Sequence, residues 1–345
     1  MLALKGETLK GEKRILVLSV VLLALILLYV LGLVFSPASR RRREMETPLF
    51  QILNKEMIAS IEITSNGGSL SLRKSEDDWT VLISGVYFPA AKDRVDAFLD
   101  HVISLRQSKR VSGDPETWSD FEVGTPPARR LVLEGEEGKP LVDLVIGKPG
   151  LAGQGTYVRR GDEEDVIQVD KSFSYYLNPE PRFWSDLKLF PKDLEARDIR
   201  RVSLKRRSGF DDAGGPFVYS LVRDENMNWI VEGRPAIPLD NRAVDGLTGA
   251  LASFEGTEFV VGIPREAAGF DSPTAEVLFA TDAGREFRLL VGNPGPDADQ
   301  YYVCLEGETY CYLAAAWRLK NILKSLSSIG AEATGDQASR SPSSE

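Results

Sequence analysis

"NMNWIVEG", residues 226–233, sets a tryptophan at the head of a short apolar run. So does "EDDWTVLISG", residues 76–85, and in each a proline and then an amphipathic pattern follow. The similarity continues in order. "AAKDRVDAFL" (90–99) sits over "PLDNRAVDGL" (238–247), and "SDFEVGTPPARRLVLEG" (119–135) over "AGFDSPTAEVLFATD" (268–282). "LVDLVIGKPG" (141–150) sits over "FRLLVGNPGP" (287–296), aligning Gly147 with Gly292, and "GTYVRRGDEEDVIQV" (155–169) over "DQYYVCLEGETYCYL" (299–313). Matches in one order with nearly constant offset mark a duplication.

Each copy reads as strands, one helix, then strands. "SIEIT", "SLSLR" and "WTVLI" alternate with period two, and "RRLVLEG", "LVDLVIG", "TYVRR" and "DVIQV" follow as short strands bounded by Gly, Asp and Lys. Residues 93–107 carry Val95, Phe98, Leu99 and Val102 on one helical face; Val244, Leu247, Leu251 and Phe254 repeat the spacing. Short Gly-bearing connections predict antiparallel pairing. The expected fold is α+β: a single transmembrane helix, then two tandem, mostly antiparallel units each with one packed helix.

The expected boundaries are a tail at 1–14, an anchor at 15–35, a basic linker at 36–56, unit 1 at 57–177, a linker at 178–197, unit 2 at 198–329 and a disordered tail at 330–345. The anchor reading rests on 21 uncharged residues, Ile15 to Phe35, long enough at about 1.5 Å per residue to span a bilayer core. That length, with "RRRR" beyond it, favours a retained anchor over a cleaved signal peptide. Four basic residues flank each side, so charge alone does not orient it. The linker aromatics in "FWSDLKLF" (183–190) are expected to pack the units together.

The formal charge of −9 divides into +4 over residues 1–48 and −13 over the rest. An acidic body argues against nucleic acid. One histidine, His101, and two cysteines, Cys304 and Cys311, exclude an ordinary Cys/His zinc site. His101 lies in a helical run without a GxSxG partner motif, and reads as packing. "GLAGQG" (150–155) lacks the following helix that a phosphate loop needs. "NPGPDADQ" (293–300) lacks calcium-loop spacing. Asp77-Asp78 and Asp211-Asp212 read as solvated loop carboxylates. No catalytic, cofactor or metal residue is therefore assigned. Trp79, Trp229, Gly147 and Gly292 recur in both copies, which favours structural roles: a buried indole, and a glycine where the backbone needs freedom. A two-residue turn at Gly307-Glu308 would set Cys304 opposite Cys311. Two outcomes stay open for that pair, a disulfide or two reduced thiols.

These features together resemble the bacterial domain-of-unknown-function family 4340: "DDWTVL", "FPAAKDRVDAFLDHVISL", "DLVIGKPGLAGQGTYVRRG" and "FWSDLKLFP" occur in the family's order. The resemblance implies a membrane-anchored accessory protein with an extracytoplasmic body at the cytoplasmic membrane, its genes often beside subunits of gliding-motility-type ABC transporters. It supplies no catalytic residues. The expectation is a non-catalytic scaffold presenting the duplicated domain to a transporter complex. The alternatives are an extracytoplasmic sensor that binds a small ligand, or a carboxylate-dependent hydrolase of envelope polymer. The sequence leaves oligomeric state open.

Overall fold

In the computed structural model, residues 21–23, 25–26, 29, 48–65, 67–76, 78–207, 215–297 and 299–331 are described. They form two large antiparallel sheets with few helices. This overturns the α+β reading that began with a transmembrane helix: among the described residues no helix is long and apolar enough to cross a membrane. Most of the expected anchor at 15–35 lies outside the described residues, as do the tail at 1–14 and residues 332–345.

The chain divides into two compact units. The first takes in the residues up to Asp77 and Asp93–Glu180; the second takes in Asp78–Lys92 and everything from Pro181 onward. The first unit contains β1 (Ser60–Ser65), β2 (Gly68–Ser75), β5 (Gln107–Ser112), β6 (Arg130–Glu134), β7 (Pro140–Pro149), β8 (Thr156–Arg160) and β9 (Val166–Val169). Neighbouring strands run β2-β1-β6-β7-β8-β9-β5. The alternation of apolar and polar residues puts Ile61, Ile63, Leu131, Leu133, Leu144 and Ile146 inside. Helix α1 (Lys92–Ile103) buries Val95, Phe98, Leu99 and Val102, the stripe its 3.6-residue period predicts. Each such side chain stabilises the unit by about 1.5–3 kcal/mol.

The helix stops at Ile103, short of the expected 107. The Ser104 hydroxyl donates to the Asp100 carbonyl and the Leu105 amide donates to the Val102 carbonyl at 3.1 Å, closing the last turn. Gln107 onward is instead the edge strand β5, paired with β9 through two register shifts. The expected basic linker is also part of the fold from residue 48: the Leu49 amide donates to the Leu105 carbonyl at 2.8 Å, and Leu49 is buried.

The second unit holds the hairpin β3 (Asp78–Ile83) and β4 (Val86–Pro89). It also holds β10 (Ile199–Arg206), β11 (Phe217–Arg223), β12 (Trp229–Val231), β13 (Glu258–Phe259), β14 (Ala275–Thr281), β15 (Glu286–Pro294), β16 (Gln300–Leu305) and β17 (Cys311–Ala315). These eight run β12-β11-β10-β14-β15-β16-β17-β13. From β11 to β13 the order repeats that of the first unit. Helix α3 (Asn241–Ala252) is capped by the Asp240 carboxylate, which accepts from the Arg242 amide at 2.9 Å. It buries Val244, Leu247 and Leu251 and lies against α4 (Ala316–Ile322) and α5 (Leu326–Ile329). In the linker, α2 (Pro181–Trp184) buries Trp184, and Phe190 packs edge-on against Phe279 and Phe287.

The duplication holds at the level of single hydrogen-bonded pairs. Ile146 opposes Val158 as Val291 opposes Val303, and Pro149 opposes Thr156 as Pro294 opposes Tyr301. Both pairings shift register at the same place, between Ile146 and Pro149 and between Val291 and Pro294. A β-bulge reproduced in both copies is a feature of the design of the fold.

Candidate functional site

Gly147 and Gly292 sit in those bulges. A Cβ on Gly147 would lie 2.1 Å from the Phe121 carbonyl, and one on Gly292 would lie 2.0 Å from the Ala268 carbonyl. The loop preceding β6, and the one preceding β14, presses its backbone on the sheet there, so only glycine fits. Trp79 and Trp229 are 4% and 3% exposed. Trp229 is pinned further: its Nε1 donates to Asp245 Oδ1 at 3.3 Å, and the Arg223 guanidinium stacks 4.4 Å from the ring centroid. These four recurrent residues serve the architecture.

Where the copies differ is more informative. Arg159 opposes Val166 in the first unit, and Cys304 opposes Cys311 in the second, at the same rung of the ladder. Arg159 is a buried arginine whose Nε donates to the Val123 carbonyl at 3.2 Å and whose Nη1 donates to the Arg160, Gly161 and Glu163 carbonyls at 3.1–3.2 Å. Its guanidinium lies over Trp118, 4.0 Å from the ring. In the second unit a guanidinium returns from the other side. Arg265, in the loop preceding β14, donates from Nη1 to Cys304 Sγ at 3.0 Å and to Cys311 Sγ at 3.7 Å. Arg265 is exposed, Cys311 half-buried and Cys304 fully buried among Ala268, Phe270 and Leu290.

Both cysteines are free thiols. The hydrogen bond from the Cys311 thiol, helped by Arg265 and opposed by burial, pulls Cys304 down to about 7. Cys311, which keeps the proton it donates, is pushed up. The register expected from the hairpin is present, but the turn is not the one expected. The Glu308 amide donates to the Leu305 carbonyl at 3.2 Å and Gly307 has φ +88°, which puts glycine at the third position of the turn rather than the second.

A second feature lies on the first unit. Two adjoining depressions of about 350 and 320 Å³ share Phe50 and Leu141. Asp143, Arg160 and Glu163 line one, and Ile52 and Met57 the other. Arg160 builds the wall: Nη1 donates to Glu163 Oε1 at 2.9 Å and Nη2 to the Leu49 carbonyl at 3.1 Å. Asp143 accepts from Nε and Nη2 of Arg130 at 2.8 and 2.6 Å. Ile52 stands 84% exposed beside them. Neither this cleft nor Arg265 was singled out from the sequence. Residues 48–56 read as linker, and Arg265 has no motif around it.

The other candidates lie outside both of these features. His101 lies against Phe173 and Tyr176, with Nε2 buried and without a hydrogen-bond partner. Residues 150–155 connect β7 to β8, and 295–299 connect β15 to β16. Asp78 pairs with Lys92 at 3.4 Å, while Asp77, Asp211 and Asp212 lie outside the described residues. Among the described residues no group of His, Cys, Asp and Glu could hold a metal ion.

The fold and these sites define a duplicated antiparallel sheet protein. Residues 79–229 match the family described as "Domain of unknown function (DUF4340)", the one the sequence resembles. The match runs from one aligned tryptophan to the other, one full period of the duplication. A protein of Treponema pallidum (strain Nichols) named only as an uncharacterized protein is 23% identical over 151 residues, 43% of this chain. The matched residues span about half of that relative, 48% of its length. No solved structure matches the chain.

Proposed function

We propose that the protein is a non-catalytic accessory that docks a polypeptide partner in the cleft of its first unit. The exposed Ile52, with Phe50 and Leu141 beside it, is the observation that carries this reading. A small apolar centre ringed by Asp143, Arg160 and Glu163 has the composition of a protein-binding patch, with an anchor that excludes water and a polar rim that sets register. The depressions are open rather than enclosed, which suits a chain segment better than a small metabolite. The family resemblance points to a membrane-protein partner such as an ABC-type transporter subunit, met on the extracytoplasmic side of the cytoplasmic membrane.

The test is affinity purification of the full chain in mild detergent, followed by mass spectrometry, beside an Ile52→Asp/Leu141→Glu variant with an unchanged circular dichroism spectrum. A partner recovered with the native protein and lost with the variant supports the reading. Equal recovery with both removes the cleft from it.

A further inference from the structure

The geometry points to Cys304 and Cys311 as an oxidisable dithiol site, with Arg265 as the positioning residue and a small hydroperoxide as the reacting partner. The duplication supplies the control. The same rung in the first unit holds Arg159 and Val166, so the fold forms without sulfur there. The thiol pair is peculiar to the second unit, and so is the guanidinium aimed at both sulfurs from an exposed loop residue.

The arrangement selects among sulfur chemistries. A cationic group 3.0 Å from Cys304 Sγ disfavours a soft metal ion and favours a thiolate. Cross-strand partners lie close enough for a bond to form with small local movement. The resting thiolate is Cys304, which accepts from the Cys311 thiol beside Arg265; the half-buried Cys311 reacts through the minority form in which the shared proton has passed to Cys304.

In the first step Cys311 thiolate attacks one peroxide oxygen. An S–O bond forms, the O–O bond breaks, and the departing hydroxide takes up a proton to leave as water. Cys304, having given its proton to that first hydroxide, attacks the Cys311 sulfenic sulfur as the thiolate; the S–O bond breaks, and the second hydroxide takes a proton from solvent and leaves as water. The pair loses two electrons and two hydrogens; the peroxide is reduced to two waters.

The experiment treats the full chain with hydrogen peroxide at neutral pH and follows intact mass and free thiols. The expected result is loss of two hydrogens and of both thiols together. Arg265→Met is expected to slow this several-fold, because a smaller fraction of the pair is ionised at neutral pH, and Arg265→Lys to retain most of the rate. Cys304→Ser should stop at a dimedone-trappable sulfenic acid on Cys311, whereas Cys311→Ser should leave the buried Cys304 slow to react. An Arg265→Met rate equal to native, or a sulfenic acid that forms on Cys304 as fast without Cys311, overturns the assignment. So does oxidation past sulfenic acid with no disulfide formed.

Discussion

Arg159 and Cys304 occupy the same rung of two copies of one sheet, facing Val166 and Cys311 respectively. In one copy the guanidinium grows from the strand and reaches out to loop carbonyls. In the other it comes from the loop and reaches in to the strand. The positive group is kept while its source changes, which leaves the strand position free to carry a thiol.

The first prediction follows from the four carbonyls that Arg159 serves. Arg159→Met keeps much of the stem's packing but takes a donor from the buried Val123 carbonyl and from three part-buried ones, at a cost of about 1–3 kcal/mol. Urea denaturation of the purified protein measures it. A loss below about 0.5 kcal/mol would mean that water replaces the guanidinium without penalty.

The bulge glycines should be intolerant of a single methyl group. Gly147→Ala and Gly292→Ala each force a Cβ against backbone carbonyl oxygen, so each is expected to cost about 1–3 kcal/mol or more. Gly249→Ala is the contrast. A Cβ there meets nothing within 4 Å on helix α3, and a gain of about 0.5–1 kcal/mol is expected. If all three shift the denaturation midpoint alike, the close approach is not what selects glycine.

Truncation of either tryptophan to Ala should cost about 3–5 kcal/mol. Tryptophan fluorescence offers an independent check, since a buried indole emits to the blue and resists quenching by iodide. Trp229→Phe should separate the ring from its polar contacts: most packing survives, while Asp245 keeps only the Arg223 donor.

His101 predicts an acid-side loss of stability. Burial first, and then the charge of Lys171, hold it below its usual 6.5, against Asp170 and the Ser172 backbone. The unfolded chain therefore takes up a proton before the folded one does. The neutral histidine's contribution is complete above that range and is lost as pH falls through 6.5 toward the folded value. His101→Phe, packed against Phe173 and Tyr176, should flatten the stability profile between neutral and mildly acidic pH. Parallel profiles for native and variant protein would show that other groups govern the slope.

The strands legible in the sequence are those with a buried face. "TYVRR" is β8 residue for residue, and β1, β2, β6, β7 and β9 lie within a few residues of expectation. Period two is visible only when one side of a strand meets the core. The edge strand β5, "QSKRVS", carries lysine and arginine and has no such face, so the helical pattern ran on over its start. At two residues, β13 is too short for any period. The cysteine rung was legible because register follows from counting along a hairpin, whatever the turn type. Arg265 was not, although a signal existed: aligning Phe121 with Phe270 sets Arg265 over Glu116, a charge reversal in the copy whose strand lost its arginine. The cleft escaped because burial of residues around Leu49 depends on contacts with Leu105 and Arg160 far along the chain.

The hairpin β3–β4 has a consequence for the history of the gene. It lies in the sequence of the first copy, yet it belongs to the second compact unit, where Phe88 stacks on Phe259 at 4.5 Å. A reading frame cut at the linker would part Phe88 from Phe259 and leave the second fragment without its hairpin. Duplicated genes commonly shed a copy by deletion. Here deleting the first copy would also remove the hairpin from the unit it completes, which works against that loss.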